Sequence, residues 1–302
     1  MKEFKTYEEQ IEILKTRGLL IKNEKNALSF LERNNYYNVI NAYKDIFVDK
    51  IVLGEKYISG VSFDSFKALW AFDKILRHEL FRFIIIVERN IKSKLMYHIA
   101  QKYGVLDYLN IDFFNPYYVV EASQLISIIN KEIASQFEKN QMIKHYKSQG
   151  YLPPWVLANI LTFGNISKLY QCHNHSMQNT IAKDLSRQLA KKIFPDNIIN
   201  SLKIINLFRN LCAHDQRLFD YMPYTSISEK HPVNIHCNSG TAYGLFALIC
   251  SMYTLQDASD FRALIKAVSK AFEYLKPLGQ DFINIIHQKT GFTQNWLDLL
   301  NI

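Results

Sequence analysis

DSFKALWAFDKILRHELFRFIIIVERNIKSKLMYHIAQKY, residues 64–103, places apolar side chains at Leu69, Leu76, Leu80, Phe83, Val87, Ile91, Leu95 and Ile99. Their intervals of three, four and seven residues follow the turn of an α-helix, and Gly104 closes the pattern. One long helix is therefore predicted from about Asp64 to Tyr103. Its other side carries Lys74, Arg77, His78, Arg82, Arg89, Lys92 and Lys94, against only Asp73, Glu79 and Glu88. Such a basic stripe fits a solvated face or a ridge that meets RNA.

Outward from that helix the same helical pattern recurs. The chain has 302 residues, 48% of them hydrophobic, with only 10 glycines and 7 prolines, so breakers are few and an all-α fold is expected. The prediction is a single all-α domain over 1–302, a helical bundle with added N- and C-terminal helices. Residues 1–60 form an N-terminal extension with helices at Tyr7–Arg17 and Glu24–Arg33, then an irregular stretch with room for a short hairpin. Residues 61–219 hold the core helices. Within them one helix is expected over 121–148, and another from Trp155, started by the Pro153-Pro154 pair and running past Gly164, where a small residue allows close helix contact. A basic element at 176–194 sets Lys183, Arg187 and Lys191 four residues apart on one face, before Pro195 breaks it. A further helix spans about 196–219. A polar connection at 220–239 leads to two or three helices in 240–302.

The net charge of +8 and a pI near 9.1 suit an anionic partner. Four widely spaced cysteines, Cys172, Cys212, Cys237 and Cys250, make no disulfide framework and fit a reducing compartment. The first ten residues mix charges without an apolar core, and no apolar run approaches membrane-spanning length, so a cytoplasmic protein without membrane contact is expected. Neither a Walker loop nor a dinucleotide fingerprint occurs. Cys172, His173 and His175, or Cys212 and His214, have zinc-ligand chemistry but match no standard spacing, so no metal and no cofactor is expected.

The helix near 196–219 carries the chemistry-bearing residues. Ile204, Ile205, Leu207, Phe208, Leu211, Cys212 and Leu218 fall on one side; Asn206, Arg209, Asn210, Ala213, His214 and Arg217 fall on the other. A solvated face is usually rich in Lys and Glu, whereas this one holds two Asn, two Arg and a His, a choice that favours hydrogen bonding to a partner. On spacing alone, Arg209 and His214 read as a surface pair, or one that supports a neighbouring group, rather than a catalytic one.

The string Arg209-Asn210-x-x-Ala213-His214-x-x-Arg217 resembles the RNA-cleaving motif of HEPN domains, as it occurs in the Abi family of phage abortive-infection proteins. Blocks at 35–44, 72–78, 87–95, Pro154-Trp155 and 161–170 are similar to that family in the same order, and the resemblance runs from about 7 to 300. It implies a HEPN-like helical bundle and a metal-independent endoribonuclease acting as a toxin in phage defence. It also implies a homodimer whose composite cleft joins two copies of the motif, because this chain has one good copy; Arg89-Asn90 with His98 is a poor second. The roles carried over are His214 as general acid and base, Arg209 as phosphate clamp and Asn210 as orienting or substrate-holding group. Arg217, Lys183, Arg187, Lys191, Arg82 and Arg89 would contact substrate RNA, and a small structured regulatory RNA would suit the basic stripes. The chain departs from some HEPN toxins at Gln216, where those carry a tyrosine modified by a partner nucleotidyltransferase. A non-catalytic RNA-binding or scaffold protein on the same fold is the alternative.

Overall fold

The computed structural model describes residues 3–52, 54–225, 227, 243–292 and 296. Among these the chain is all-α, with isolated β-bridges in place of strands. Helices α1 (Tyr7–Thr16) and α2 (Glu24–Arg33) start where expected because Thr6 and Asn23 cap their first N–H groups. The irregular stretch that follows holds a π-helical turn (Tyr37–Asn41) and the single-turn α3 (Lys44–Phe47). An antiparallel bridge between Val48 and Tyr57 then closes a loop where a hairpin had room to form.

Helix α4 (Phe63–Tyr103) is the axis of the molecule, about 60 Å long at 1.5 Å per residue. Ser62 and Ser65 form its capping box, and Gly104, at φ +77°, ends it. All eight apolar positions read from the sequence are buried. The basic stripe is only partly a free surface. Arg77 is buried in an ion-pair network, Lys92 donates to the Leu161 carbonyl and Lys94 pairs with Asp184, so three of its seven basic residues act as struts.

Two predicted helices are broken by caps that compete locally. The 121–148 segment splits into α5 (Val119–Gln136) and α6 (Gln141–Ser148), because the Asn140 side chain accepts the N–H groups of Met142 and Ile143 and starts a new helix. The segment from the proline pair gives only the one-turn α7 (Pro154–Leu157). Thr162 and Asn165 then cap α8 (Phe163–Cys172). Helix α9 (His175–Leu189) ends at Ala190 in the left-handed conformation, φ +52°. Lys191 thereby leaves the face of Lys183 and Arg187, donates to the Gln256 carbonyl at 2.9 Å and lies over the Tyr253 ring; burial pushes its pKa down to about 8.

Helix α10 (Pro195–Ala213) crosses α4 and packs closely on α11 (Gly244–Leu255), which is apolar on nearly all sides and almost wholly buried. Helix α8 packs on α10 near Gly164, but an added Cβ would meet the Asn206 side chain at 3.5 Å, an ordinary van der Waals distance, so the contact does not require the glycine expected to permit it. Helix α12 (Ala258–Phe272) packs on α4, and α13 (Gln280–Thr290) on α11. Gly291, at φ +79°, brings the chain against the Tyr243 carbonyl, where a side chain would collide. Most of the predicted 220–239 connection, from 228 on, and residues 293–295 and 297–302 of the C-terminal region lie outside the described residues.

Candidate active site

The motif helix stops six residues earlier than its sequence pattern predicts. His214 is the C-cap of α10, its N–H donating to the Asn210 carbonyl at 3.1 Å, and Asp215 turns left-handed at φ +50°. The cause is a buried carboxylate on α4. Asp73 accepts the N–H groups of Leu218 (3.1 Å) and Phe219 (2.8 Å) and the Tyr43 hydroxyl (2.8 Å), and it pairs with Arg77 one turn along α4. Arg77 in turn reaches the Asp215 carboxylate at 2.7 Å and the Gln216 carbonyl at 3.2 Å. Burial pushes the Asp73 carboxyl up, against the opposing pull of Arg77, Tyr43 and the two backbone donors. This network converts what would be the last turn and a half of α10 into a turn and an irregular segment tied to α4. It leaves His214 exposed at the helix end.

Arg209 lies one turn and a half back, against α4. Its Nε is 3.6 Å from Glu88 Oε2, and its guanidinium lies over the Phe81 ring, 5.9 Å from the centroid. Glu88 also holds Lys92 at 2.9 Å. The side chains of Arg209, Asn210 and His214 make no hydrogen bond among the described residues, although Arg209 keeps its ion contact with Glu88. The guanidinium is thus oriented by an acid and an aromatic ring while its donors stay uncommitted. Such a group can grip two oxygens of a phosphate, and the exposed imidazole at the end of the same helix can move a proton.

The other arginine of the motif is differently placed. Arg217 sits beyond the helix and bonds Asp45 (Nη2 to Oδ2, 3.1 Å), Asp220 and the Ala42 carbonyl, stacked over Phe219. Its donors serve the N-terminal region, and it is held apart from Arg209. Lys183 and Arg187 stand on the solvent face of α9, Arg187 paired with Asp184. Arg82 pairs with Glu79 at 2.8 Å in a groove between α4 and α12, whereas Arg89 lines a separate cavity between α4 and α7. The six substrate-contact candidates therefore do not converge on one surface. His98, the histidine of the poor second copy, is buried with Nε2 3.0 Å from Asp184.

The sequence reading counted Asp73, Arg77 and Glu88 only as outward charges of the long helix, whereas they are buried, and it gave Tyr43 and Phe81 no part in the site. The available signal was an acid and an arginine four residues apart, Asp73 and Arg77, each next to a large apolar residue, Phe72 and Leu76. Among the described residues no three His, Cys, Asp or Glu side chains gather to hold a metal ion. Burial pushes the Cys172 thiol up to about 11 and the Cys212 thiol up to about 12, so both are protonated at neutral pH.

Residues 29–220 match the family described as Abi-like proteins. The chain belongs to the Abi-like family. The family match in this Abi-like protein begins within α2 and ends at Asp220, the partner of Arg217, and so takes in the whole Asp73–Arg77 clamp and the motif. It is narrower than the 7–300 read from the sequence. No curated protein and no solved structure matches the chain. Among the described residues of the Abi-like protein no helix is long and apolar enough to cross a membrane.

Proposed function

We propose that this Abi-like protein is a metal-independent endoribonuclease of HEPN type that acts as an abortive-infection toxin in phage defence. The observation that carries the reading is Arg209: a guanidinium aligned by Glu88 and Phe81 with no hydrogen bond of its own among the described residues, on the helix that carries the exposed Asn210 and ends at the exposed His214. Arg77 and Arg217, by contrast, are consumed in structural bonds.

In RNA the 2′-hydroxyl is already tethered beside the scissile phosphorus, so proximity comes with the substrate. The remaining tasks are to take the 2′-hydroxyl proton, to stabilise charge on the phosphorane and to protonate the departing 5′-oxygen. The O2′–P bond forms as the P–O5′ bond breaks, leaving a 2′,3′-cyclic phosphate and a 5′-hydroxyl. His214 moves the proton, Arg209 stabilises the phosphorane through its paired donors, and Asn210 orients the ring or holds the strand. One imidazole serves one end of this transfer best, and a second copy of the motif in a homodimer supplies the other. The burial of His98 against Asp184 supports a partner copy over an internal second site.

His214→Ala should abolish both RNA cleavage and growth arrest on expression while leaving the fold intact, because the side chain is exposed and makes no hydrogen bond among the described residues. Toxicity of His214→Ala equal to that of the wild type would remove the histidine from the mechanism.

A further inference from the structure

Trp155 is 54% exposed and Tyr97 is 61% exposed, yet both belong to well-anchored helices. The residues around Trp155, namely Pro153, Pro154, Val156, Leu157 and Ala158, are all buried. Helix α7 is therefore a rigid pedestal that holds one large indole out toward solvent, at the cost of leaving it wet. Both rings line a cavity of about 500 Å³ between α4 and α7, within the roughly 300–1,000 Å³ of ligand sites. Its remaining walls are Arg89, Lys92, Ser93, Met96, Ala158 and Asn159, none of them acidic.

The two cations differ in use. Lys92 spans the Glu88 carboxylate and the Leu161 carbonyl and fixes the wall. Arg89 is exposed and carries no ion pair among the described residues. The cavity also has a defined position relative to the motif. Glu88, which orients Arg209, precedes Lys92 by one helical turn and Met96 by two, so the cavity opens about 6–12 Å farther along α4. Since α10 runs antiparallel to α4 here, with Arg209 at Glu88 and Asp215 at Arg77, the order along α4 is His214, Arg209, then the cavity.

We propose that this cavity is a base-stacking subsite for single-stranded RNA, in which a nucleobase lies on the Trp155 indole beside Tyr97 and Arg89 takes the adjoining phosphate. An aromatic platform flanked by an unpaired cation, with no acid facing it, is the chemistry that holds a single strand without sequence readout. A protein partner would also use an exposed Trp and Arg, but the absence of acid and the continuity with Arg209 favour a polyanion. The proposal rests on the ribonuclease reading for the identity of the nucleic acid, and its test separates the two.

The probe is a fluorescein-labelled single-stranded 2′-O-methyl oligoribonucleotide, which cannot be cleaved by 2′-hydroxyl attack, with binding to the full chain read by anisotropy. Trp155→Ala should weaken binding about 10-fold, from the ~1–3 kcal/mol of one stacked base. Trp155→Phe should restore most of it. Arg89→Ala should weaken binding and lower its salt dependence by about one phosphate. Lys25→Ala on α2, whose Phe30 packs on Trp70 near the other end of α4, should change nothing. Unchanged affinity in both Trp155→Ala and Arg89→Ala, or no binding of any strand by the wild type, would overturn the subsite. So would a shift of Trp155→Ala in oligomeric state with RNA binding intact, which would make the face a protein contact. Weakened binding in Trp155→Ala, together with cleavage by His214→Ala at the wild-type rate, would keep the subsite and remove the catalytic reading; the converse pattern would do the reverse.

Discussion

Replacing Asp73 by alanine should destabilise the protein more than almost any other single truncation in α4, and it should do so at the motif. The carboxylate is fully buried and accepts from Leu218 N, Phe219 N and the Tyr43 hydroxyl while pairing with Arg77. Its loss leaves two buried backbone donors unpaired, each worth about 1–3 kcal/mol, and removes the closer counter-ion of a guanidinium that is itself 3% exposed. Breaking a buried ion pair from one side costs about 3–5 kcal/mol. The two costs overlap, and Asp215 still faces Arg77 at 2.7 Å, so a loss of about 4 kcal/mol is expected. Against a net stability of roughly 5–15 kcal/mol, that is a large share of the whole. Urea unfolding measures it. Tyr43→Phe, which removes one hydrogen bond to the same carboxylate, should cost about 1.5 kcal/mol. The double variant should fall short of the sum, because both changes act on one network. Amide exchange localises the effect: Leu218 and Phe219 should be protected in the wild type and exchange freely in Asp73→Ala. A loss below about 1 kcal/mol, or unchanged protection at those two amides, would refute the clamp.

Other consequences follow from the same contacts. Arg217→Ala should act on stability, by about 1–2 kcal/mol in urea unfolding, because its guanidinium joins Asp45, Asp220 and the Ala42 carbonyl; an unchanged midpoint with a raised KM for RNA would instead make it a substrate contact. Arg209→Lys should leave stability unchanged yet lower single-turnover cleavage about 100-fold, since an ammonium cannot replace the paired donors. His173 is stacked on Phe114 with its Nε2 unpartnered among the described residues, and burial pushes its pKa from 6.5 down to about 4. The folded state thus resists protonation that the unfolded chain accepts, so the His173 contribution should lower stability by roughly 3 kcal/mol as pH drops from 6.5 to 4 and level off below. His173→Phe should flatten that limb of a stability-versus-pH curve, apart from the smaller part due to His287, which burial shifts the same way. Gly291→Ala should destabilise, as seen by thermal unfolding, because a Cβ there would strike the Tyr243 carbonyl at φ +79°.

The long helix was legible because nothing competes with its period: eight apolar positions, no proline, and a cap at each end. The α-class and the helices α1 and α2 were legible for the same reason. What the period could not show was where side chains take over backbone donors. Asn140 and Thr162 end apparent helices by capping new ones, and Asp73, 145 residues before Leu218 in sequence, ends α10 through tertiary hydrogen bonds. A helical wheel placed Arg217 beside His214, but the left-handed Asp215 carries it to Asp45 instead. The basic stripe of α4 misled for a related reason: charge counts do not reveal which cations already have buried partners. Arg209, Asn210 and His214 stand out in the sequence because their identities break the Lys and Glu habit of a solvated helix, and they are the residues the proposed function rests on. Glu88 and Phe81, which orient Arg209, lie on another helix, and only the fold brings them there.

The central claim is transesterification by His214 without a metal. Its most direct test is incubation of the purified wild type and His214→Ala with RNA in excess EDTA, followed by analysis of the product ends. Cleavage by the wild type alone, leaving 2′,3′-cyclic phosphate and 5′-hydroxyl ends, is the predicted result. RNA left intact by the wild type as a purified dimer, or cut equally by His214→Ala, would contradict it.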